Sequence, residues 1–161
     1  MLIRSRIFQC FRTQLYTFTP ILSDIELFEQ QLGTFIDHRG SKIGGLGSDL
    51  LKTFSTSWIG LLYAVLASGV QFSDLPSDQR ASMSNKLLQY SLQSLRLASF
   101  LVRPTTECLQ TFIVLGNVLQ NLMKPEAAWI LLGTTIRIAQ RLGLPQLSAG
   151  EAENPAGKRL W

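Results

Sequence analysis

The stretch that decides the fold covers residues 105–143 and reads TTECLQTFIVLGNVLQNLMKPEAAWILLGTTIRIAQRLG. Apolar residues recur at helical spacing in both of its halves. Thr105 can cap a first helix that reaches Leu122, and Pro125 suits the first turn of a second helix that ends at Gly143. Because only two residues separate these helices, the sequence predicts an antiparallel pair.

Apolar faces on the two helices predict how the pair packs. The first helix carries a stripe of Leu109, Phe112, Ile113, Gly116 and Leu119. The second carries Trp129, Gly133 and Ile136 on one side. A glycine inside a helix costs about 1 kcal/mol relative to alanine, so glycines on these faces indicate close backbone approach. We therefore expect the two faces to pack together, with Trp129 in the core.

The segment before residue 42 predicts two more helices. An amphipathic first helix has Ile3, Ile7, Phe8, Phe11 and Leu15 on one side. After Pro20, Ser23 and Glu26 have the spacing of a capping box, and Leu22 and Leu27 that of a hydrophobic staple. We expect this second helix to reach about Asp37.

The middle of the chain predicts a glycine-rich loop followed by two helices. The loop covers residues 40–48, as a linker within a single domain of residues 1–161. Residues 58–67 are apolar almost all round, which predicts a buried helix that stops at Gly69. Pro76 starts the next helix, and Pro104 interrupts it. Its apolar residues are Met83, Leu87, Leu88, Leu92, Leu95 and Phe100. The predicted fold is all-α, a multi-helix array of antiparallel helix pairs.

Composition excludes several classes of protein. Of 161 residues, 46% are hydrophobic and 16% charged, which argues against disorder and for apolar surface that faces a partner. The net charge of +4 comes from basic residues scattered along the sequence. A nucleic-acid-binding surface needs clustered cations that neutralise phosphates, so the sequence does not favour one. The apolar run 59–70 is too short to span a membrane. We expect protein partners or self-association, and no membrane.

The candidate reactive residues favour structural, non-catalytic interpretations. His38 stands alone beside Asp37, which favours a solvated loop histidine over a catalytic or metal site. Residues 44–48 are rich in glycine but lack the lysine of a phosphate-binding loop. Cys108 suits a buried small hydrophobe. Because no catalytic, cofactor or metal constellation emerges, the sequence predicts that the chain is not an enzyme and holds no cofactor of its own.

The remaining charged and aromatic candidates also favour structural roles. Glu26 and Glu29 lie three apart and indicate a solvated helix face. Arg137 and Arg141 form a small basic pair that could contact a partner, with solvent as the default. Trp58, Trp129 and Trp161 are interpreted as core or interface anchors.

Four segments of the chain resemble one protein family. Residues 58–69 look like the signature helix of the fungal-specific transcription factor domain, the middle homology region of fungal binuclear zinc-cluster transcription factors. Residues 90–122 and 128–144 resemble two further family segments in the family's order, and residues 18–22 resemble the opening segment. The last of the helical segments resembles a motif that ends at Gly-Leu-His, where this chain has Pro145.

The resemblance implies a regulatory domain that modulates transcription in the nucleus, with an unidentified small-molecule effector as one option. In the family, DNA is read by a zinc cluster of six cysteines. This sequence has two cysteines, Cys10 and Cys108, so zinc and DNA contact are expected only from outside it. Residues 158–161 resemble the start of the family's Arg-Arg-Leu-Trp-Trp motif, after which the family domain continues. We therefore expect a partial domain, incomplete at its C-terminus.

Alternatives remain open at this point. The chain could be a helical protein-interaction scaffold unrelated to transcription, or a truncated remnant without function. Arg4, Arg6 and Arg12 precede the first acidic residue, Asp24, which resembles a mitochondrial presequence and offers a second localisation beside the nucleus.

Overall fold

The computed structural model describes residues 2–17, 20–41 and 54–144. Regular structure in these ranges is helical, with no strand, which confirms the predicted all-α class. The helices are α1 (Leu2–Phe11), continued by a π-helical turn (Arg12–Tyr16), α2 (Ile25–Ser41), α3 (Thr56–Gln71), α4 (Ser77–Leu97), α5 (Thr106–Asn121) and α6 (Pro125–Arg141). Within these ranges, no helix combines the length and apolar character needed to cross a bilayer.

Helix α3 lies at the centre of the described structure and contacts α1, α4 and α5. Ser55 caps it by accepting a hydrogen bond from the Trp58 amide at 3.0 Å. The predicted burial of this helix is confirmed, but the predicted stop at Gly69 is wrong. The helix continues to Gln71, and a Cβ on Gly69 would collide with the carbonyl oxygen of Ile7. Gly69 therefore serves the close approach of α1 and not the end of a helix.

Helices α3 and α4 form an antiparallel pair joined by hydrogen bonds from two buried serines. Ser84 Oγ donates to the carbonyl of Ala67 at 3.0 Å, and Ser91 Oγ donates to the carbonyl of Gly60 at 2.7 Å. The donors are seven positions apart on α4, and the acceptors are seven apart on α3 in the opposite direction. This order is the signature of antiparallel packing, and the small side chains allow the two backbones to lie close together.

The core consists of three apolar clusters that follow the chain. The first joins α1, α2 and α3 through Phe8, Phe11, Phe28, Phe35, Trp58 and Leu62. The second joins α3, α4 and α5 through Ala64, Ala67, Leu88, Val114, Leu115 and Val118. The third joins α4, α5 and α6 through Leu95, Cys108, Leu109, Phe112, Ile138 and Ala139. The apolar side of α1 is therefore part of the core, as an ordinary amphipathic first helix requires.

The start and end of α2 differ from the sequence prediction. Asp24 caps the helix, with Oδ1 accepting a hydrogen bond from the Leu27 amide at 2.9 Å, so the predicted capping box of Ser23 and Glu26 is wrong. The predicted staple also fails, because Leu27 is 50% exposed while Phe28 is buried. The register that buries Phe28 against Trp58 decides the cap. At its other end α2 includes Gly40 and Ser41, and residues 42–48 of the predicted loop lie outside the described residues.

Three helices end in left-handed residues. Ser99 (φ 54°), Met123 (φ 58°) and Gly143 (φ 72°) follow α4, α5 and α6. After α4, the Ser99 amide donates to the Arg96 carbonyl and the Phe100 amide to the Leu95 carbonyl, the pattern of a Schellman motif. Helix α4 therefore ends at Leu97, before the predicted interruption at Pro104. The predicted bounds of α5 and α6 are confirmed to within two residues at each end.

Candidate functional site

An exposed apolar surface lies on α6, and a second one lies at the end of α4 and just after it, at Leu97, Leu101 and Val102. The members of the surface on α6, called here the α6 outer face, share the side of the helix that points away from α5. They are Glu126, Trp129, Ile130, Gly133, Ile136 and Arg137. Trp129 is 75% exposed and Ile130 72% exposed. Large apolar side chains at this exposure, grouped on one helix, are typical of a surface that contacts a partner.

The opposite side of α6 packs against the core. Ala128, Thr135, Ile138 and Ala139 are buried there, and the Thr135 hydroxyl donates to the Leu131 carbonyl at 2.7 Å. The prediction that Trp129, Gly133 and Ile136 pack against the α5 stripe is therefore wrong. Small side chains let α6 lie close to α5, and Thr135 is acceptable in the core because its hydroxyl bonds within its own helix.

Neither glycine that predicted close helix contact makes one. A Cβ on Gly116 or on Gly133 would meet nothing within 4 Å. No packing among the described residues therefore explains why either helix carries a glycine. For Gly133, which is exposed on the α6 outer face, the result is a patch of bare backbone flanked by Trp129 and Ile130.

Charged residues bracket the α6 outer face. Glu126 lies in the first turn of α6, and Arg137 lies one turn before its end. Neither side chain forms a hydrogen bond or ion pair with another described residue. Arg141 behaves differently, because its Nη2 donates to the Val102 carbonyl at 3.1 Å. The two arginines of the predicted basic pair therefore have different roles. Arg141 binds the loop before α5, whereas Arg137 has no hydrogen-bond or ion-pair partner within the described part of the chain.

A cavity of about 120 Å³ lies where α2, α3 and α5 meet. Trp58 forms part of its apolar lining, and its polar lining comes from Ser23, Asp24, Gln31, Glu107 and Gln110. Gln110 is buried, and its Nε2 donates to the Ile21 carbonyl at 2.9 Å and to Ser23 Oγ at 3.1 Å. These bonds attach the chain before α2 to α5. Sequence reasoning missed this group because a glutamine and a glutamate within an apolar helix carry no distinctive spacing.

Glu107 is one of two carboxylic acids, with Asp24, that line this cavity. Burial raises the pKa of its carboxyl, and a 3.0 Å hydrogen bond from Ser55 Oγ opposes that shift by favouring the charged form. The desolvation effect is the larger of the two. A carboxyl placed in this way is easier to protonate than an exposed glutamate.

Trp58 is 4% exposed, and its Nε1 is a buried donor without a hydrogen-bond partner among the described residues. An unpaired buried donor costs about 1–3 kcal/mol. The adjoining cavity has room for about four water molecules or one small polar group. It combines hydrogen-bonding side chains with an aromatic wall, which suits the binding of a small polar group.

The other sequence candidates occupy structural positions. Cys108 is fully buried, as predicted, and its Sγ lies 3.3 Å from Thr105 Oγ1 and 3.5 Å from Ser57 Oγ. Glu29 accepts from Arg12 at 2.7 Å, so it joins α2 to the π-helical turn, beyond the predicted solvated role. The backbone of His38 belongs to α2 and not to a loop, and its side chain lies outside the described residues.

Among residues 2–17, 20–41 and 54–144, no group of three His, Cys, Asp or Glu side chains could hold a metal ion. The six-cysteine zinc cluster cannot be built from this chain, which has only Cys10 in α1 and Cys108 in α5. Trp161 and Pro145 lie outside the described residues.

Comparison with known proteins identifies the family. No curated protein and no solved structure matches the chain. The model of one protein family, described as the fungal specific transcription factor domain, matches residues 8–161, which is nearly the whole sequence. That match covers each segment whose resemblance suggested the family, on a fold of the predicted class. The chain therefore belongs to the fungal specific transcription factor domain family.

Proposed function

We propose that this chain is a regulatory domain that modulates the activity of a fungal transcription factor in the nucleus. The observation that carries the proposal is the family match over residues 8–161 on an all-helical fold. Contact with DNA is supplied by a zinc cluster outside this sequence. The family is one of transcription factors and not of enzymes, and we assign the chain a binding role with no catalysis.

The surface of the described structure supports a role in protein contact. Three exposed apolar side chains, Trp129, Ile130 and Ile136, are grouped on the α6 outer face, whereas basic residues are scattered. Sequence-specific DNA contact requires an element that enters a groove and cations that neutralise phosphates. An apolar helix face bracketed by one anion and one cation is better suited to a protein partner.

The proposal is tested by attaching the complete chain to an unrelated sequence-specific DNA-binding domain in a fungal cell. Transcription of a reporter that carries the matching site is then measured against the DNA-binding domain alone, at equal protein levels. We expect the attached chain to change reporter transcription, in either direction. Reporter output equal to that of the DNA-binding domain alone would contradict the proposal and favour an interaction scaffold unrelated to transcription.

Two controls sharpen this experiment. Gly69→Leu places a side chain against the α1 backbone and should abolish both the fold and the effect on transcription. Gly33→Leu changes a glycine whose Cβ would meet nothing within 4 Å, so the effect should persist. A gel-shift experiment with the purified chain tests DNA contact directly. Retention of one DNA sequence over scrambled competitor at physiological salt would contradict the proposal that a zinc cluster outside this sequence supplies DNA contact.

A further inference from the structure

The order of residues along the α6 outer face is self-complementary. Glu126 and Arg137 are eleven positions apart, which is about three helical turns, so they lie on one line along the helix. Ile130 and Gly133 lie between them on the same side. Along the helix the order is Glu126, Ile130, Gly133, Arg137. When the helix is reversed, each charged residue takes the position of the opposite charge, and Ile130 and Gly133 exchange positions.

We propose that two copies of this chain associate through their α6 outer faces as an antiparallel, two-fold symmetric pair. With the symmetry axis between positions 131 and 132, Glu126 of each copy faces Arg137 of the other. The same axis sets Ile130 of each copy opposite Gly133 of the other. A two-fold interface of this kind uses one patch twice, so each favourable contact is made two times.

The charges select this arrangement over a parallel one. In a parallel pair each residue would face its own copy, which sets Glu126 against Glu126 and Arg137 against Arg137. Like charges in contact repel, whereas the antiparallel arrangement converts both contacts into ion pairs. Neither charge has an ion-pair partner among the described residues, so both are available for a second copy.

Gly133 provides the second argument. A glycine in a helix interior lowers helix stability, and no packing among the described residues compensates for it, since its Cβ would meet nothing within 4 Å. Bare backbone on an exposed face allows a second helix to approach closely. Ile130, which is 72% exposed, supplies the side chain that fills this space from the other copy.

The test uses complementary charge reversals in the complete chain, with mass measured by analytical ultracentrifugation over a concentration series. Glu126→Arg places two cations against each other in both contacts, and Arg137→Glu places two anions there. We expect each variant alone to dimerise about ten- to thirtyfold more weakly than wild type. An equimolar mixture of the two variants should recover dimers, because the mixed pair sets two cations of one copy against two anions of the other.

A matched control separates the interface from the helix. Glu126→Arg also places a cation in the first turn of a helix, which disfavours the helix by itself. Glu26→Arg makes the same change at an exposed glutamate in the first turn of α2, and it should leave dimerisation unchanged. Recovery of dimers in the mixture cannot come from a general effect on helix stability, because each variant keeps its own substitution when the two are mixed.

Gly133→Leu tests the close approach without a change of charge. It should weaken dimerisation while leaving the urea-unfolding midpoint of the dilute monomer at or above the wild-type value, since the site is open within one chain. A wild-type chain that stays monomeric throughout the series would overturn the proposal. So would a mixture of charge variants that fails to restore the dimer. Neither result bears on the reporter experiment, which tests the regulatory role separately.

Discussion

Ser91 on α4 donates a 2.7 Å hydrogen bond from its hydroxyl to the backbone carbonyl of Gly60 on α3. Ser91 is fully buried, and a Cβ on Gly60 would lie 3.3 Å from Leu95 Cδ2. The two helices therefore approach at a point where one contributes a glycine and the other a small polar side chain. This contact locks the register of the α3–α4 pair.

Ser91→Ala should destabilise the chain by about 1 kcal/mol, because it removes one buried hydrogen bond while the Gly60 carbonyl keeps its place in the α3 backbone ladder. The measurement is the midpoint of urea unfolding at constant slope. Ser94→Ala is the matched control, since Ser94 Oγ donates only to the Tyr90 carbonyl of its own helix. Equal losses in both variants would show that the bond between the helices adds nothing.

Gly69→Ala should destabilise the chain by about 1–3 kcal/mol, because the new Cβ would collide with the backbone of Ile7 and force α1 away from α3. Gly116→Ala adds the same methyl group where nothing lies within 4 Å, and it should raise stability by up to about 1 kcal/mol. Both are measured by thermal and urea unfolding. A stabilised Gly69→Ala variant would mean that α1 does not lie against α3 in this way.

Met123→Gly should raise stability by about 0.5–1 kcal/mol. Met123 adopts a left-handed conformation (φ 58°) that costs a residue with a side chain about 1–2 kcal/mol, and its side chain is 86% exposed, so little packing is lost. Part of the gain is offset by the greater freedom of glycine in the unfolded chain. Gln120→Gly, placed within α5 at an exposed position, should instead lower stability. A Met123→Gly variant that unfolds at lower urea would contradict the assigned turn.

Glu107→Gln should change how stability depends on pH. Burial raises the pKa of the Glu107 carboxyl in the folded chain above its value in the unfolded chain. The stability contributed by the protonated carboxyl is therefore complete below the unfolded pKa, near pH 4, and is lost as the pH rises through the folded value. Glutamine stays neutral and can still accept the hydrogen bond from Ser55. The variant should match wild type at acidic pH and exceed it at neutral pH.

Urea unfolding of both proteins from acidic to neutral pH checks this prediction. Glu26→Gln is the control, because Glu26 is exposed in the first turn of α2 and lies outside the α6 outer face. It should not reproduce the gain at neutral pH. A Glu107→Gln chain that is less stable than wild type at neutral pH would show that the hydrogen bond from Ser55, and not desolvation, dominates at this carboxyl.

The sequence predicts which segments are helical, but it does not predict which side of α6 faces the core. Thr105 and Pro125 marked the starts of α5 and α6 correctly, because caps and first-turn prolines act on the nearest backbone groups. The sequence predicts Trp129 in the core because it shares one side of the helix with Gly133 and Ile136. Thr135 and Ala128 fill that position instead, since small residues allow α6 to lie close to α5.

For the cavity residues, too, the sequence predicts burial from neighbouring residues but not contacts between distant segments. Trp58 was identified as a core residue from the apolar run around it, and it is buried. Glu107 and Gln110 became part of a cavity only because α2 and α3 lie beside α5, where Ser55 and Ile21 bond to residues 52 and 89 positions further along the chain. No local pattern around either residue contains that information.

By itself, the sequence determined that this chain is helical and where most helices begin, because capping, proline placement and periodicity act over a few neighbouring residues. The family followed from the resemblance of its segments to known family segments. The tertiary structure alone decided which side of α6 faces outward, why α3 carries Gly69, and where the Asp24 cap falls. Burial depends on which distant segments meet, and the energy of each close contact depends on their relative positions.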